Sequence, residues 1–466
     1  MPYVFYDTET TGTDTAFDQI LQFAAIETDD DLNEIQRLNI RCRLLPHVVP
    51  SPGALRVNSI TPAMLTDPNL PSHYEAMLQI HGKLMEWSPA VFVGYNSIGF
   101  DENILRQAFF QTLQPAYLTN TNGNSRADVM RIAHATRIYA PDSISVPVND
   151  RGNETFRLEL LAPANGYNHD AAHEAMADVE ATIFLAKLAR DRAPEIWQAM
   201  DRATVKNTVK KYVASQTMFS LTERYFGRAF SWLVTPCGQN PDYDSQLGVF
   251  DLHFDPDDYL SMSAEELVRV LSANQKPIRT LRANAQPIMM PADAAPEGVK
   301  ALDIAPDEVR RRISAVQNDK EFQARVGQAL AMRFADKEPS PYVEEQIYDG
   351  FPDAADRVLM EQFHNAVWAD RVALAGRIKD LRLSEFAWRL IYFERRNLLP
   401  AAKAADLDTW LAQRVLTTDE AVPWKTVGKA LRETDDFLAN ASGDEAVLLQ
   451  EVKDYLHSVA ERLGSS

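Results

Sequence analysis

The segment that decides the fold is Tyr3-Val4-Phe5-Tyr6-Asp7-Thr8-Glu9-Thr10-Thr11-Gly12, an apolar run that leads into two acids. Alternate side chains of an extended strand share a face, so Asp7 and Glu9 point the same way from the end of a buried strand. Two like charges this close repel each other unless a cation neutralises them. Oxygen-only ligands favour magnesium or manganese, so the segment predicts metal-dependent phosphoryl chemistry. The alternative is an acid pair at an ordinary strand end that meets solvent.

Two later segments favour the metal site over that alternative. An apolar strand over Val91–Val93 stops at Gly94, and Asp101 then opens an amphipathic helix. Farther along, Asp178 belongs to a second helix whose apolar side chains pack inward. His173 lies just before that helix or in its first turn. Three separate elements of the chain therefore each offer acids to a common site.

Together, Asp7, Glu9, Asp101, His173 and Asp178 resemble, in set and order, the DEDD exonucleases with a histidine base. Within that superfamily the chain resembles bacterial exodeoxyribonuclease I, densely over the first domain and sparsely afterwards. The segments that carry this closer resemblance are Gln22–Ile26, Ile60–Pro62, Gly94–Asn96, Asn124–Arg126, Phe156–Glu159, Ala164–Gly166, Ala175–Asp178, Gln346–Phe351 and Asp356–Arg357. A proofreading subunit or an oligoribonuclease would share the acids but would stop after roughly the first domain.

The resemblance implies a magnesium-dependent enzyme that degrades single-stranded DNA from its 3′ end to 5′-mononucleotides, in DNA repair and recombination. Two metal ions, Mg²⁺ with Mn²⁺ as a substitute, can activate water and stabilise the leaving oxygen. We expect Asp7 to bridge both ions, with Glu9 and Asp178 completing one site. Asp101 supports the second ion. His173 takes the proton from the attacking water, because an unperturbed histidine pKa of about 6.5 suits a general base.

The resemblance also implies contacts to the DNA strand. Besides Glu9, the matching positions are Arg157, Arg106, Tyr117 and Arg131. Arginines hold backbone phosphates, and an aromatic ring offers a stacking platform for a base. For each arginine the alternative is a surface salt bridge. Relatives carry a tryptophan where this chain has Thr121, so one stacking contact is missing or is supplied by another residue.

Composition limits the class of protein. The 466-residue chain is 45% hydrophobic and 24% charged, as in an ordinary globular protein, and its length predicts about three domains. Cys42 and Cys237 lie far apart and outside any metal-ligand spacing, which indicates buried thiols in a reducing compartment. The sequence has no signal-peptide pattern and no apolar run long enough to span a membrane. We therefore expect a cytoplasmic protein that contacts no membrane, and we expect a monomer.

The net charge of −19 argues at face value against a nucleic-acid substrate, because phosphate neutralisation normally requires a basic surface. Affinity depends on the local potential, however, and bound metals add positive charge. Local basic clusters do occur, at Arg202, Lys206, Lys210 and Lys211 and again at Arg310, Arg311 and Arg312. With the family resemblance, these clusters predict a partnership with the acidic C-terminal tail of single-stranded DNA-binding protein.

Hydrophobic patterning predicts three parts. Residues 1–192 form an α/β ribonuclease-H-like exonuclease domain, residues 193–343 an α+β domain, and residues 344–466 an all-α helical C-terminal domain. The label SH3-like for the middle part comes from the resemblance alone. In the first part, strands are predicted over 3–7, 20–28, 37–45 and 90–94 and helices over 74–86, 101–113, 128–136, 156–163 and 174–192. In the middle part, strands are predicted over 230–235, 247–254 and 277–281, with a helix over 263–272 that Ser263 and Glu266 cap. In the C-terminal part, helices are predicted over 356–368, 383–395, 419–440 (with an early break at Pro423) and 445–463.

Two other functions stay open. One is an RNA-directed or proofreading exonuclease of the same superfamily, and the other is a non-catalytic scaffold that binds single strands. Residues 1–192 contain every proposed metal ligand. We therefore expect this part alone, if it folds, to cleave short oligonucleotides, while the later parts enclose the strand.

Overall fold

The computed structural model of the chain describes residues 1–168, 174–225, 228–300, 304–333 and 338–464. Its strands are β1 (Tyr3–Thr10), β2 (Ile20–Thr28), β3 (Glu34–Arg41), β4 (Val91–Gly94), β5 (Ser125–Asp128), β6 (Phe219–Tyr225), β7 (Arg228–Gln239), β8 (Gln246–Asp251), β9 (Ile278–Arg282) and β10 (Ile288–Pro291). The helices of the first part are α1 (Pro52–Asn58), α2 (Pro62–Leu65), α3 (His73–Glu86), α4 (Asp101–Gln111), α5 (Val129–Tyr139), α6 (Leu158–Ala164) and α7 (Ala175–Arg192).

The later helices fall into two groups. Those of the middle part are α8 (Pro194–Arg202), α9 (Lys206–Ser215), α10 (Ala264–Ser272), α11 (Glu297–Lys300), α12 (Pro306–Asn318) and α13 (Lys320–Met332). Those of the C-terminal part are α14 (Ala354–Asn365), α15 (Trp368–Ala375), α16 (Leu381–Arg395), α17 (Ala401–Leu416), α18 (Val427–Leu438) and α19 (Gly443–Gly464). The predicted all-α C-terminal part is therefore confirmed.

The first sheet has the order β3-β2-β1-β4-β5, with β1 at its centre. Because β1 runs antiparallel to β2 and parallel to β4, the predicted mixed sheet is confirmed. Alternate side chains of β1 point to opposite faces of the sheet. Phe5 packs into the core against α7, while Val4 and Tyr6 pack into the core against α3 and α4. Helices thus cover both faces and leave the acidic end of β1 at the rim of the sheet.

The boundaries differ from the sequence-based ones where the apolar pattern is weak. β3 covers Glu34–Arg41 rather than 37–45, because its side chains lie mostly exposed at the sheet edge and give no clear periodicity. β5 was not predicted, since its four residues are Ser125, Arg126, Ala127 and Asp128 and form no apolar run. Helices α4 and α7 begin at or within one residue of their predicted starts.

The middle part contains a five-stranded antiparallel sheet of order β10-β6-β7-β8-β9. Helix α10 begins with the predicted capping box, in which Ser263 and Glu266 satisfy each other's backbone N–H groups. Strands β6 and β10 were not predicted. The SH3-like label and the boundaries of this part stay predictions.

The C-terminal helices pack against the first part as well as against each other. One continuous apolar core contains Leu55, Phe110 and Leu113 of the first part together with Phe386 and Ile391 of α16. Of the helix predicted over 419–440 with an early break at Pro423, the part after the break is helical: α18 begins at Val427, where the Thr426 side chain caps it. Helix α17 was not predicted. Of the helices in the ranges the structure covers, none is both long and apolar enough to cross a membrane.

Candidate active site

Three of the predicted acids converge at the rim of the first sheet. Asp7 and Glu9 lie on β1, and Asp178 lies in the first turn of α7. Each offers a carboxylate oxygen, and these oxygens lie within 4.8 Å of one another. All three side chains are partly buried. The strand alternation that the sequence indicated therefore places two acids on one face, and the helix that packs behind β1 brings the third.

The three carboxylates disturb one another strongly. Burial, and then the charges of Asp101 and Asp178, raises the pKa of Asp7 well above its usual value. Burial, and then the charge of Asp178, raises the pKa of Glu9 to about 8, against a hydrogen bond from Asn58 at the end of α1. Such mutual repulsion in an oxygen-only cluster is relieved by a cation. The donor set and its electrostatics therefore fit a divalent metal.

Asp101 lies beside this cluster rather than within it. It is the first residue of α4, is almost fully buried, and accepts a hydrogen bond of 2.5 Å from the Thr8 hydroxyl. Burial raises its pKa to about 7, although the Thr8 hydrogen bond acts in the opposite direction. The helix N-terminus and Thr8 thus fix a carboxylate next to Asp7.

A tight turn between β4 and α4 positions Asp101. A Cβ at Gly94 would lie 2.5 Å from the Cβ of Ser97, so the turn requires glycine there. Asn96 adopts a left-handed backbone conformation with φ of 60°, and its N–H donates to Asp128 at 2.9 Å. Gly94 and Asn96 thus allow the backbone conformation of the turn that leads into α4.

A fifth acid near the cluster, Glu174, was not predicted. Glu174 caps α7 by accepting from the Ala177 N–H and also accepts at 2.6 Å from the amide of Gln22 on β2. Its charge adds to the repulsion on both Asp7 and Glu9. The only sequence signal for Glu174 is its position one residue before a helix, and that position indicates an ordinary helix cap. The predicted base, His173, lies outside the described residues.

A basic cleft of about 470 Å³ opens between the first and middle parts, next to the β4–α4 turn. Asn96 and Gly99 of that turn line it. Its cationic lining residues are Arg131, Arg224, Lys276, Arg279, Arg282 and Arg333. Only Arg131 was predicted, since the others come from the middle part, where strands far apart in sequence converge. A local positive surface therefore exists on a chain of net charge −19.

The predicted strand-contacting residues lie in different surroundings. Arg131 lines the cleft and donates to the Gln286 carbonyl at 3.0 Å. Arg157 is 68% exposed just before α6 and pairs with Glu159. Arg106 is buried and pairs with the buried Glu102 at 2.7 Å, which is an internal ion pair rather than the surface salt bridge of its alternative. These placements leave the DNA contacts themselves as predictions.

Tyr117 lies near a second aromatic ring that can replace the stacking contact of the missing tryptophan. Its ring lies 4.8 Å from the Arg106 guanidinium and 5.5 Å from the ring of Phe351. Phe351 is 76% exposed, whereas Thr121 bonds back to the Tyr117 carbonyl. Phe351, brought in by the C-terminal part, therefore stands where an aromatic contact beside Tyr117 could be supplied.

The two basic clusters predicted to bind a partner are largely paired with acids. Lys206 and Lys210 contact Asp244 at 3.0 and 2.8 Å. Arg311 contacts Asp255 at 2.7 Å and also reaches neighbouring acids. Their positive charge is thus partly neutralised within the chain. Asp244 and Asp255 lie far from these cations in sequence, whereas Glu308 is three residues from Arg311 in the same helix.

Two family models match the chain. The one described as Exonuclease matches residues 4–186, which include the acidic cluster. The one described as Exonuclease I C-terminal domain matches residues 341–459. The two matches fall on the first and the C-terminal parts of the fold.

Individual proteins extend this likeness over the whole chain. Exodeoxyribonuclease I of Escherichia coli strain K12 is 28% identical over 429 residues, which cover 88% of this chain and 89% of that protein. Exodeoxyribonuclease I of Haemophilus influenzae is 34% identical over 273 residues, 57% of each protein. Among solved structures, the zinc-ion-bound form of the E. coli exonuclease I complex with single-stranded DNA has a TM-score of 0.84 at 25% identity and covers 98% of this chain and 99% of that one.

Proposed function

This chain belongs to the exodeoxyribonuclease I family of exonucleases, and on that premise we propose that it hydrolyses single-stranded DNA from the 3′ end to 5′-mononucleotides. The observation that carries the proposal is the convergence of Asp7, Glu9 and Asp178, together with a basic cleft that opens at the β4–α4 turn leading to Asp101. An acidic metal site suits the phosphodiester, and a cationic cleft suits the strand that leads to it. A role in DNA repair and recombination belongs to the same proposal.

The carboxylates would hold two Mg²⁺ ions, with Asp7 shared between them, Glu9 and Asp178 on one ion and Asp101 on the other. Bound there, the ions would lower the pKa of the attacking water and stabilise the charge on the leaving oxygen. Thr8 holds the Asp101 carboxylate in a fixed orientation through its 2.5 Å hydrogen bond. Gln22 restrains Glu174, so the negative charge around the cluster is fixed in position.

The protein's own groups then manage the proton and the strand. His173 accepts the proton that the water loses as its oxygen attacks the terminal phosphorus. The 3′ oxygen of the preceding nucleotide leaves, which releases a 5′-mononucleotide and a strand shortened by one. Arg131 and the other cations of the cleft hold the backbone phosphates, with Arg157, Tyr117 and the buried Arg106 supporting the terminal nucleotides. This division of roles predicts that His173→Ala lowers the rate by about 10²–10⁴-fold while strand affinity changes little.

Direction and substrate are tested with one set of oligonucleotides. Single-stranded DNA labelled at either end and a matched RNA are incubated with Mg²⁺ or with EDTA. We expect mononucleotides from the 3′ end of DNA, with Mg²⁺ only. Asp7→Asn, which keeps the size of the side chain, should abolish release.

Other outcomes favour the alternatives. Equal hydrolysis of RNA would favour an RNA-directed exonuclease, since the 2′-hydroxyl is what separates the two substrates. Binding of DNA without any nucleotide release would favour the single-strand-binding scaffold. Release from the 5′ end would contradict the proposed direction.

We also propose the acidic C-terminal tail of single-stranded DNA-binding protein as a partner of a monomeric, cytoplasmic enzyme. Because Asp244 pairs with Lys206 and Lys210, it competes with an acidic peptide for these cations. Asp244→Asn should therefore tighten binding of the tail peptide at low salt, whereas Asp242→Asn, an exposed acid two residues away, should not. Calorimetry that detects no peptide binding to either variant would contradict the partnership.

A further inference from the structure

A large groove lies in the C-terminal part and shares no lining residue with the basic cleft. It has a volume of about 1130 Å³ and runs between α16, α17, the α17–α18 loop and residues 341–344. Sites for small molecules are about 300–1,000 Å³, so the groove has room for such a ligand. We call it the indole groove, because its lining includes three indole rings and three cations, Trp388, Trp410, Trp424, Arg389, Lys403 and Arg414.

Charged side chains form a continuous chain along the indole groove. Lys403 lies 3.7 Å from Glu385, which pairs with Arg389 at 3.0 Å. Arg389 and Arg414 then share Glu344, at 2.9 and 3.4 Å. Because this chain begins and ends on a cation, three positive charges face only two negative ones. The groove therefore carries an excess of positive charge, which favours an anionic ligand.

Arg414 lacks the acceptors that a buried arginine needs. It is 5% exposed, and over the ranges that the structure describes the only polar contact of its side chain is the 3.4 Å pair with Glu344; its Nε has no acceptor. Arg371, a buried arginine in the same part, instead donates to the Tyr74 hydroxyl and to two backbone carbonyls at 2.9–3.1 Å. Burial lowers the pKa of Arg414 to about 10, although Glu344 acts in the opposite direction. A buried cation with too few acceptors is unfavourable unless an anion completes its site.

The indole rings add flat apolar walls to the groove. Trp410 and Trp424 are each stacked by an arginine, with 4.2 and 3.7 Å between guanidinium and ring centre. Trp388 is only partly buried, and the cation beside it, Lys403, lies 5.8 Å from its ring centre. Trp388 is therefore the ring on which a planar ligand can stack.

We propose that the indole groove binds a 5′-mononucleotide, whose phosphate completes the site at Arg414 and whose base stacks on Trp388. The choice of this ligand rests on the proposed function, since a 5′-mononucleotide is the product of that hydrolysis. The phosphate matches the planar fork of a guanidinium, and a base of any kind stacks on an aromatic ring. The protein thus holds its own product at a site built from other residues than its acidic cluster.

Calorimetric titration with dTMP in EDTA tests this site, because without metal the acidic cluster repels a phosphate. The matched titrants are thymidine, which lacks the phosphate, and ribose 5-phosphate, which lacks the base. Arg414→Lys and Trp388→Leu alter the groove. Arg371→Lys and Trp368→Leu are their controls, because they make the same changes in an arginine–indole pair outside the groove, with 4.0 Å between guanidinium and ring centre.

We expect dTMP to bind the wild type and both control variants equally well. Thymidine and ribose 5-phosphate should each bind at least about 10-fold more weakly, since each lacks one of the two contacts. Arg414→Lys keeps the charge but loses the planar fork, and it should weaken dTMP binding by about 10-fold. Trp388→Leu keeps the apolar bulk but loses the stacking face, and it should cause a similar loss.

The comparison of the three titrants on the wild type tests the site even if Arg414→Lys folds poorly. Thymidine that binds as tightly as dTMP, or full dTMP affinity in both groove variants, would overturn the proposed site. Asp7→Asn should bind dTMP as the wild type does, and a loss there would place the nucleotide at the acidic cluster instead. A wild type that releases no mononucleotide from DNA would refute the proposed function, whereas added dTMP tests the groove in either case.

Discussion

The catalytic sheet meets the rest of the chain through two interfaces of different kinds. Toward the C-terminal helices it shares a single apolar core, in which Phe110 and Phe386 lie edge to face with ring centres 5.0 Å apart. Toward the middle part it has a smaller apolar cluster, to which α5, α7, α8 and β10 contribute, beside a polar seam built around Gln286. An apolar core is lost only by unfolding, whereas polar groups beside a cleft can exchange partners with water and substrate. The C-terminal helices therefore complete the fold of the first part, and the middle part lines the cleft that we propose holds the strand.

The largest expected effect comes from opening the apolar interface. Phe386→Ala removes a side chain that is only 2% exposed, so it should lower the free energy of unfolding by about 3–5 kcal/mol. Leu381→Ala, in the same helix but 82% exposed, should change it little. Urea denaturation of both variants measures the difference. A loss below about 1 kcal/mol for Phe386→Ala would mean that the helices dock on a finished catalytic domain.

This interface also changes the expectation for residues 1–192 alone. Removing the later helices would expose Leu55, Phe110 and Leu113, which are now buried in the shared core. A contiguous apolar face of that kind destabilises an isolated fragment and promotes aggregation. The acids and the cores on both faces of β1 are local to the first part, but the apolar face formed by α1 and the end of α4 is completed by the later helices.

The acidic cluster lies outside both interfaces. Unlike them, it should make the stability of the protein depend on pH. The Glu9 pKa is raised from its usual 4.5 to about 8, so the folded protein binds this proton more tightly than the unfolded chain does. Stability of the metal-free protein should therefore fall as the pH rises from about 4.5 to 8. Mg²⁺ at 100 times its Kd should restore about 2.7 kcal/mol at the upper end of this range.

Denaturant melts at several pH values with EDTA or Mg²⁺ measure both effects. Asp7→Asn should reduce the fall with pH and remove the metal increment, because it relieves the repulsion and deletes the shared ligand. The increment should persist unchanged in Phe386→Ala, since distant sites add independently. Metal-free stability that rises over this pH range would contradict the electrostatic account of the cluster.

The polar seam should respond less strongly than the apolar core. Gln286 is almost fully buried, accepts from the Asp128 N–H at 2.8 Å and donates to the Met200 carbonyl at 3.1 Å. Gln286→Ala leaves both groups without this partner and should cost about 1–3 kcal/mol in unfolding free energy. Affinity for a long oligonucleotide should also fall, because the Gln286 side chain anchors the turn whose backbone carbonyl accepts from Arg131 in the cleft wall. Gln275→Ala, an exposed amide nearby, provides the stability control.

The contrast between local patterns and tertiary contacts also explains which parts of the fold and of the candidate site the sequence could predict. Asp7, Glu9, Asp101 and Asp178 were found because each lies in a short local pattern, a strand alternation or a helix start, whose geometry is known from the backbone alone. The cations of the cleft were missed because they converge only when strands of the middle part pair. Gln286, a turn residue with φ of 46°, has no local pattern at all. Local chemistry is thus readable from sequence, whereas surfaces made by tertiary pairing are not.

The smallest effect tests whether the C-terminal helices also adjust the metal site. Glu433 of α18 accepts at 2.9 Å from the Ser51 hydroxyl and at 3.0 Å from the Gly53 N–H, at the start of α1. Helix α1 ends at Asn58, whose side chain hydrogen-bonds Glu9. Glu433→Gln keeps the oxygen that accepts both bonds but makes it neutral, which weakens them, and breaks the 2.6 Å pair of Glu433 with Lys425. The change should cost only about 1 kcal/mol in unfolding free energy. Because α1 then holds Asn58 less firmly, Mn²⁺ affinity measured by calorimetry should weaken by about threefold.

Glu420→Gln breaks an exposed pair with Arg432 in the same region and should alter neither quantity. Unchanged Mn²⁺ affinity in Glu433→Gln would confine the C-terminal helices to supporting the fold.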